Sequence, residues 1–166
     1  LSVWREVVTN DIADATAGAT DGSGGVLATD TTPAYEYING ATDKGHRILW
    51  AASNGDPIAC SVPLPPDLAD DHAMTFHMYG KMSGATDTPT VTVAAFFNEG
   101  DTNAGGASTA FGSTAAEETV SLAAGDVPAA PGSLSIELTP GSHTTDTLAV
   151  FATWIEYTKD HSSNAS

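Results

Sequence analysis

The sequence predicts an all-β chain, an antiparallel β-sandwich or jelly roll of about eight to ten strands. Three observations lead there. Short segments of alternating apolar and polar residues recur at spacings of roughly 8–12 residues, separated by Gly, Pro, Asn and Asp. No stretch carries convincing 3.6-residue periodicity. Residues 132–157 hold two strong strand patterns in succession. Leu134, Ile136 and Leu138 alternate with Ser135, Glu137 and Thr139, and after the break at Pro140 and Gly141 the chain from 146 to 157 is rich in β-branched and aromatic residues. Ala149, Val150 and Phe151, then Trp154 and Ile155, put apolar side chains on both faces of this last strand. It is expected mid-sheet, with its second face hidden under the chain's own loops or against a neighbouring subunit.

Residues 1–8 read as a first strand or an extended arm, with Val3, Trp4 and Val7 apolar around Arg5 and Glu6. Residues 9–25 are almost devoid of large apolar side chains and are expected to be a loop. Strands follow over 26–29, 34–39 and 47–53. Asn54, Gly55, Asp56 and Pro57 carry turn chemistry, with Gly55 suited to positive φ, and are expected to close a hairpin between 48–50 and 58–60. The Pro-dense stretch 63–68 is a connector. Met74, Phe76 and Met78 alternate with Thr75, His77 and Tyr79 as a half-buried strand. Val91, Val93, Ala95 and Phe97 form one face of a second central strand over 90–98, with Ala94 and Phe96 on the other. A loop over 99–113, a strand over 118–122 and a connector over 123–131 lead back to the C-terminal stretch. The predicted core contains Leu134, Ile136, Leu138, Val91, Val93, Phe76, Val150 and Trp154. The whole of 1–166 reads as one domain, with 1–10 as arm or first strand and 158–166 as a flexible tail.

The chain has 21 acidic and 5 basic residues, a net charge of −16, yet 41% of its residues are hydrophobic and periodic, which separates it from disordered acidic tails. Arg5, Lys44, Arg47, Lys81 and Lys159 do not cluster, so direct nucleic-acid binding is not expected. No apolar run reaches the roughly 20 residues of a membrane-spanning helix, and no membrane partner is expected. The first residues lack the basic start and apolar run of a signal peptide, and without an initiator Met the chain is expected to be trimmed or numbered from an internal point. The single Cys60 makes no internal disulfide and suits a small buried hydrophobe.

The five histidines, at 46, 72, 77, 143 and 161, have no Cys or His at zinc-ligand spacing. Asp11, Asp14 and Asp21, or Asp67, Asp70 and Asp71, are candidate calcium oxygens, but neither group matches an EF-hand loop. Gly22, Ser23 and Gly24 lack the spacing and setting of a serine nucleophile elbow. No catalytic residue, cofactor or metal is therefore assigned, and the chain is expected not to be an enzyme. Trp50, Trp154 and Tyr157 are candidates for a sugar platform, although their place inside apolar strands favours core packing.

Three segments carry a resemblance: 48–58 (Ile-Leu-Trp-Ala-Ala-Ser-Asn-Gly-Asp-Pro-Ile) with Val62 to Leu68 after it, 84–93 (Gly-Ala-Thr-Asp-Thr-Pro-Thr-Val-Thr-Val), and 134–143 running on to Trp154, Ile155, Glu156 and Tyr157. Together they resemble the small jelly-roll decoration, or cement, proteins on the capsids of tailed bacteriophages. The resemblance implies a structural virion protein, made in the host cytoplasm, that forms a homotrimer on the capsid exterior and binds the major capsid protein. It brings no catalytic residues. Within it, Val3, Trp4 and Arg5 are the candidate partner contacts, because a tryptophan near a free terminus needs cover. The competing reading is a tail, baseplate or fibre jelly roll that binds host glycans.

Overall fold

A computed structural model describes residues 13–14, 33–42, 44–98 and 100–160. Among them run ten strands: β1 (Ala13–Asp14), β2 (Ala34–Asn39), β3 (Lys44–Trp50), β4 (Ile58–Pro63), β5 (Met74–Met82), β6 (Val91–Phe97), β7 (Gly106–Ala107), β8 (Ala116–Leu122), β9 (Ser133–Pro140) and β10 (Leu148–Glu156). They form two antiparallel sheets of five. Sheet A has the order β1-β4-β9-β6-β7 and sheet B the order β2-β3-β10-β5-β8. The result is the jelly-roll β-sandwich that the spacing of strand patterns predicts.

The two strongest strand patterns of the sequence, β9 and β10, are each the middle strand of a sheet. Leu134, Ile136 and Leu138 of β9 face Phe76, Met78 and Ile155 of the opposite sheet across a core that also holds Trp50, Phe97, Val91, Val93 and Leu122. Alternation explains the split: in β5 the even residues Met74, Phe76, Met78 and Met82 are buried, so His77 and Tyr79 stand on the other side of sheet B. Cys60 packs against the core from β4 and is partly buried.

Three expectations are corrected. Residues 48–50 and 58–60 are not a hairpin, because β3 belongs to sheet B and β4 to sheet A. The turn-rich loop instead carries the chain across the sandwich, a step of about 10 Å that a two-residue turn does not span. Its left-handed residue is Ser53 (φ 66°) rather than Gly55. Trp154 is not in the core. On β10 the ladder to β5 shifts between Val150 and Ala152, leaving Phe151 as a bulge without a partner. Before the bulge Leu148 and Val150 point inward; after it Thr153 and Ile155 do, and Trp154 is turned out beside His77. Val3, Trp4 and Arg5, and the strand expected over 26–29, lie outside the described residues.

Part of the loop expected over 9–25 pairs with a strand, as Ala13 and Asp14 sit opposite Ala59 and Ile58. At the other end, residues 158–160 are tied to residues 67–69 through the Leu68–Lys159 bridge and the Ala69 N–H donated to the Thr158 carbonyl. Residues 161–166 lie outside the described set.

The strand β7 lies so close to β6 that a Cβ on Gly105 would overlap the Val93 carbonyl oxygen. The obstacle is backbone and cannot swing away. Gly105→Ala is expected to cost about 2–3 kcal/mol, in the range of overpacked cores, read as a lower midpoint in urea with an unchanged slope.

Candidate functional site: a laced loop end and the outer face of sheet B

The loops 51–57, 83–90 and 141–147 meet at one end of the sandwich, and they are laced by two carboxylates. Asp146 Oδ2 accepts the amides of Thr86 (2.8 Å) and Asp87 (3.0 Å), while Asp87 Oδ2 accepts those of Thr145 (2.6 Å) and Asp146 (2.8 Å). Each loop thus supplies the acceptor for the other's orphan donors. Gly84 leaves the room for this, since a Cβ there would strike the Asp146 carboxylate. The third loop joins through His143, which is buried and reaches the carbonyl oxygens of Gly141 (Nδ1, 2.8 Å) and Ala51 (Nε2, 3.0 Å). The Ser53 amide closes the contact by donating to the His143 carbonyl at 2.6 Å.

The amides of Asp146 and Thr145 hold the Asp87 carboxyl below its usual range. The Lys159 ammonium at 2.7 Å, followed by the Tyr157 hydroxyl at 3.0 Å, does the same for Asp67. A depressed folded value means that the unfolded chain takes up protons first. The stability contributed by these two groups is complete above the ordinary Asp value of about 3.9 and is lost as pH falls through the folded values. Glu118 runs the other way, because burial raises it. A scan of melting temperature from pH 6 to pH 2.5 should therefore fall mainly below pH 4, and less steeply in Asp87→Asn.

The outer face of sheet B is the second feature. His77 on β5 stacks on Trp154 of β10, with centroids 4.9 Å apart and planes 10° from parallel. One step along, Tyr79 meets the bulged Phe151 at 6.1 Å and 52°. Tyr79 is 41% exposed, and Phe151 and Trp154 are half-buried. Glu117 from β8 sits 2.6 Å from His77 Nδ1, and Glu156 from β10 is 3.4 Å from Nε2. The aromatic row is thus flanked by two half-exposed carboxylates. On the same face Arg47 of β3 is ion-paired with Glu36 of β2.

No family model and no curated protein matches the chain. Among solved structures it is similar to a CBM4 module (16% identity, TM-score 0.47, covering 81% of this chain and 89% of that one). It is also similar to the CBM36-1 domain of a multidomain xylanase from the hindgut metagenome of Trinervitermes trinervoides (17%, TM-score 0.45, 75% and 86%). A third is the family 11 carbohydrate-binding module from Clostridium thermocellum in complex with a β-1,3-1,4-mixed-linked tetrasaccharide (11%, TM-score 0.39, 77% and 84%). At TM-scores below 0.5 these likenesses do not bear on what this chain binds.

Of the three residues weighed as a sugar platform, only Trp154 faces outward. Trp50 is fully buried and donates its Nε1–H to the Asp56 carbonyl at 2.9 Å; Tyr157 packs against the core and donates to Asp67. Of the acidic loop residues, Asp67 is taken up by Lys159 and Tyr157, whereas Asp70 and Asp71 join Asp101 and Asp126 around an open cleft. Among the described residues no three His, Cys, Asp or Glu side chains gather as metal ligands, and no helix is long and apolar enough to cross a membrane. The pairing of Glu117 and Glu156 around His77 was not visible in the sequence, where the three lie on separate strands. The Asp87 and Asp146 lacing left a faint trace, since aspartates set among Gly and Thr in turns often accept nearby backbone amides.

Proposed function

We propose that this chain is a non-enzymatic structural protein of a tailed-phage virion. Made in the host cytoplasm, it sits on the capsid exterior and braces the shell by binding the major capsid protein. The observation that carries this reading is the aromatic row on the outer face of sheet B, Tyr79, Phe151 and Trp154, a group of apolar surfaces directed away from the core. Its strand β10 is where the third phage-like segment ends. The net charge of −16 complements a basic protein surface and opposes contact with DNA. By the same resemblance the chain assembles as a homotrimer; Val3, Trp4 and Arg5 reach the shell or an adjoining copy on the separate ground that a tryptophan near a free terminus needs cover.

The deciding measurement is copy number and position in purified particles. Hundreds of copies on the head are expected; a handful on the tail, or none, overturns the proposal. Light scattering should give a trimer at micromolar concentration or on capsids. Removing residues 1–8 should weaken capsid binding at an unchanged melting temperature.

A second reading, a tail, baseplate or fibre module that binds host glycans, is favoured by the same outward turn of Trp154, because flat aromatic rings suit sugar faces. Low copy number together with oligosaccharide binding by the isolated chain would select it.

A further inference from the structure

The outer face of sheet B carries a polar contact that the fold leaves incomplete. His77 is 7% exposed, and its Nδ1 is engaged by Glu117 at 2.6 Å. Its Nε2 is buried and makes no hydrogen bond, although Glu156 Oε2 lies 3.4 Å away. In the neutral imidazole with Nδ1–H donating to Glu117, Nε2 is an acceptor that faces another acceptor. Buried polar atoms are rarely left in that state. What the gap lacks is a donor, and it lies beside the Trp154 ring.

We propose that this place is a seat for an arginine side chain projecting from a basic protein surface: the half-exposed Glu156 carboxylate swings aside to uncover His77 Nε2, and the guanidinium lies along Trp154 and donates to Glu156, Glu117 and Nε2. A guanidinium has five N–H donors and no acceptor, so it matches a site built from two carboxylates and an imidazole lone pair. Its flat cation also stacks on aromatic faces. The charge on this face supports the same occupant. Arg47 is already committed to Glu36, and Lys81 lies four residues along β5 from His77, about 13 Å away at strand rise, so among the described residues no Lys or Arg is paired with Glu117 or Glu156. A second copy of this chain paired face to face about a twofold axis would bring the same carboxylates to the contact and be repelled. A neutral glycan would fit the rings but bring no charge to the two glutamates. The occupant's identity as shell protein rests on the function proposed above; the site's chemistry does not.

The test is a titration of the ¹⁵N-labelled full chain at pH 8 with the blocked tripeptide acetyl-Gly-Arg-Gly-amide, following the Trp154 indole N–H. A saturable shift is expected in the millimolar range. It should weaken about threefold between 20 and 300 mM salt and be absent with acetyl-Gly-Gly-Gly-amide. The double variant Glu117→Gln/Glu156→Gln should lose at least tenfold in affinity while the remaining spectrum is unchanged. Trp154→Ala should lose the response of neighbouring amides as well; if that variant folds poorly, the glutamine pair still decides.

An equal response in the glutamine double variant overturns the proposal. So does a salt-independent indole shift with neutral oligosaccharides and none with the arginine peptide, which would give the face to a glycan. Peptide binding in a chain that purified heads do not retain supports the seat and removes the shell reading. Retention on heads without any peptide response removes the seat and leaves the shell reading standing.

Discussion

Replacing Asp146 with alanine is expected to lower stability by about 3 kcal/mol, and the melting temperature by roughly 6–12 °C for a chain of this size. Asp146 is 8% exposed, and its carboxylate is the acceptor for two amides of the opposing loop. Alanine leaves the Thr86 and Asp87 N–H groups without that partner at the part-buried loop junction, and a lost charge-assisted bond counts for more than a neutral one. Asp146→Asn keeps a carbonyl oxygen and should recover more than half of the loss. A melting temperature for Asp146→Ala within 2 °C of the parent would show that the two loops are held by something other than their reciprocal carboxylates.

Trp50→Ala is expected to cost about 3–5 kcal/mol, the range for removing a large aromatic side chain from a core, and to leave little folded protein if the parent is only marginally stable. Trp50 is fully buried, and its indole also secures the crossing loop through Asp56. Trp154→Ala should cost only about 1 kcal/mol, chiefly the stacked pair with His77. Chemical denaturation of the two variants side by side checks this. Equal losses would mean that Trp154 is held as a core residue.

Those two tryptophans mark the limit of what the sequence discloses. Both sit in apolar strand patterns, and nothing local distinguishes them. Alternation was enough to find the core faces of β5, β6 and β9, because each keeps one phase along its length: Met74 to Met82, Val91 to Phe97, and Leu134 to Leu138 are inward at every second position. Apolar residues on both faces were enough to place β10 mid-sheet and β6 inside its sheet, between β9 and β7, whereas the one-sided alternation of β9 carried no sign that it is the middle strand of sheet A. Alternation failed where the phase breaks. The bulge at Phe151 depends on the pairing with β5, a tertiary fact, and so Ile155 and not Trp154 completes the core. Turn chemistry at 54–57 likewise revealed a change of direction, but a turn signal does not say whether the next strand returns to the same sheet. The His77 cluster escaped for a third reason, because its members come from β5, β8 and β10, and only the strand order brings Glu117 and Glu156 to the two sides of one imidazole.

The bulge also makes β10 two strands of opposite phase spliced at one residue, and this bears on how the chain can diverge. Ala152, Trp154 and Glu156 lie outside the core, so each can be exchanged without repacking Ile48, Met78 or Ile136. A change of length at the bulge is absorbed there. Losing the one codon for Phe151 would set Ala152 directly after Val150, the two still opposite Tyr79 and Gly80, so plain alternation keeps Ile155 inward and the indole outward. Descendants of this sequence are therefore expected to vary freely at 152, 154 and 156, trading one binding specificity for another, and to lose the residue at 151 without turning the strand over.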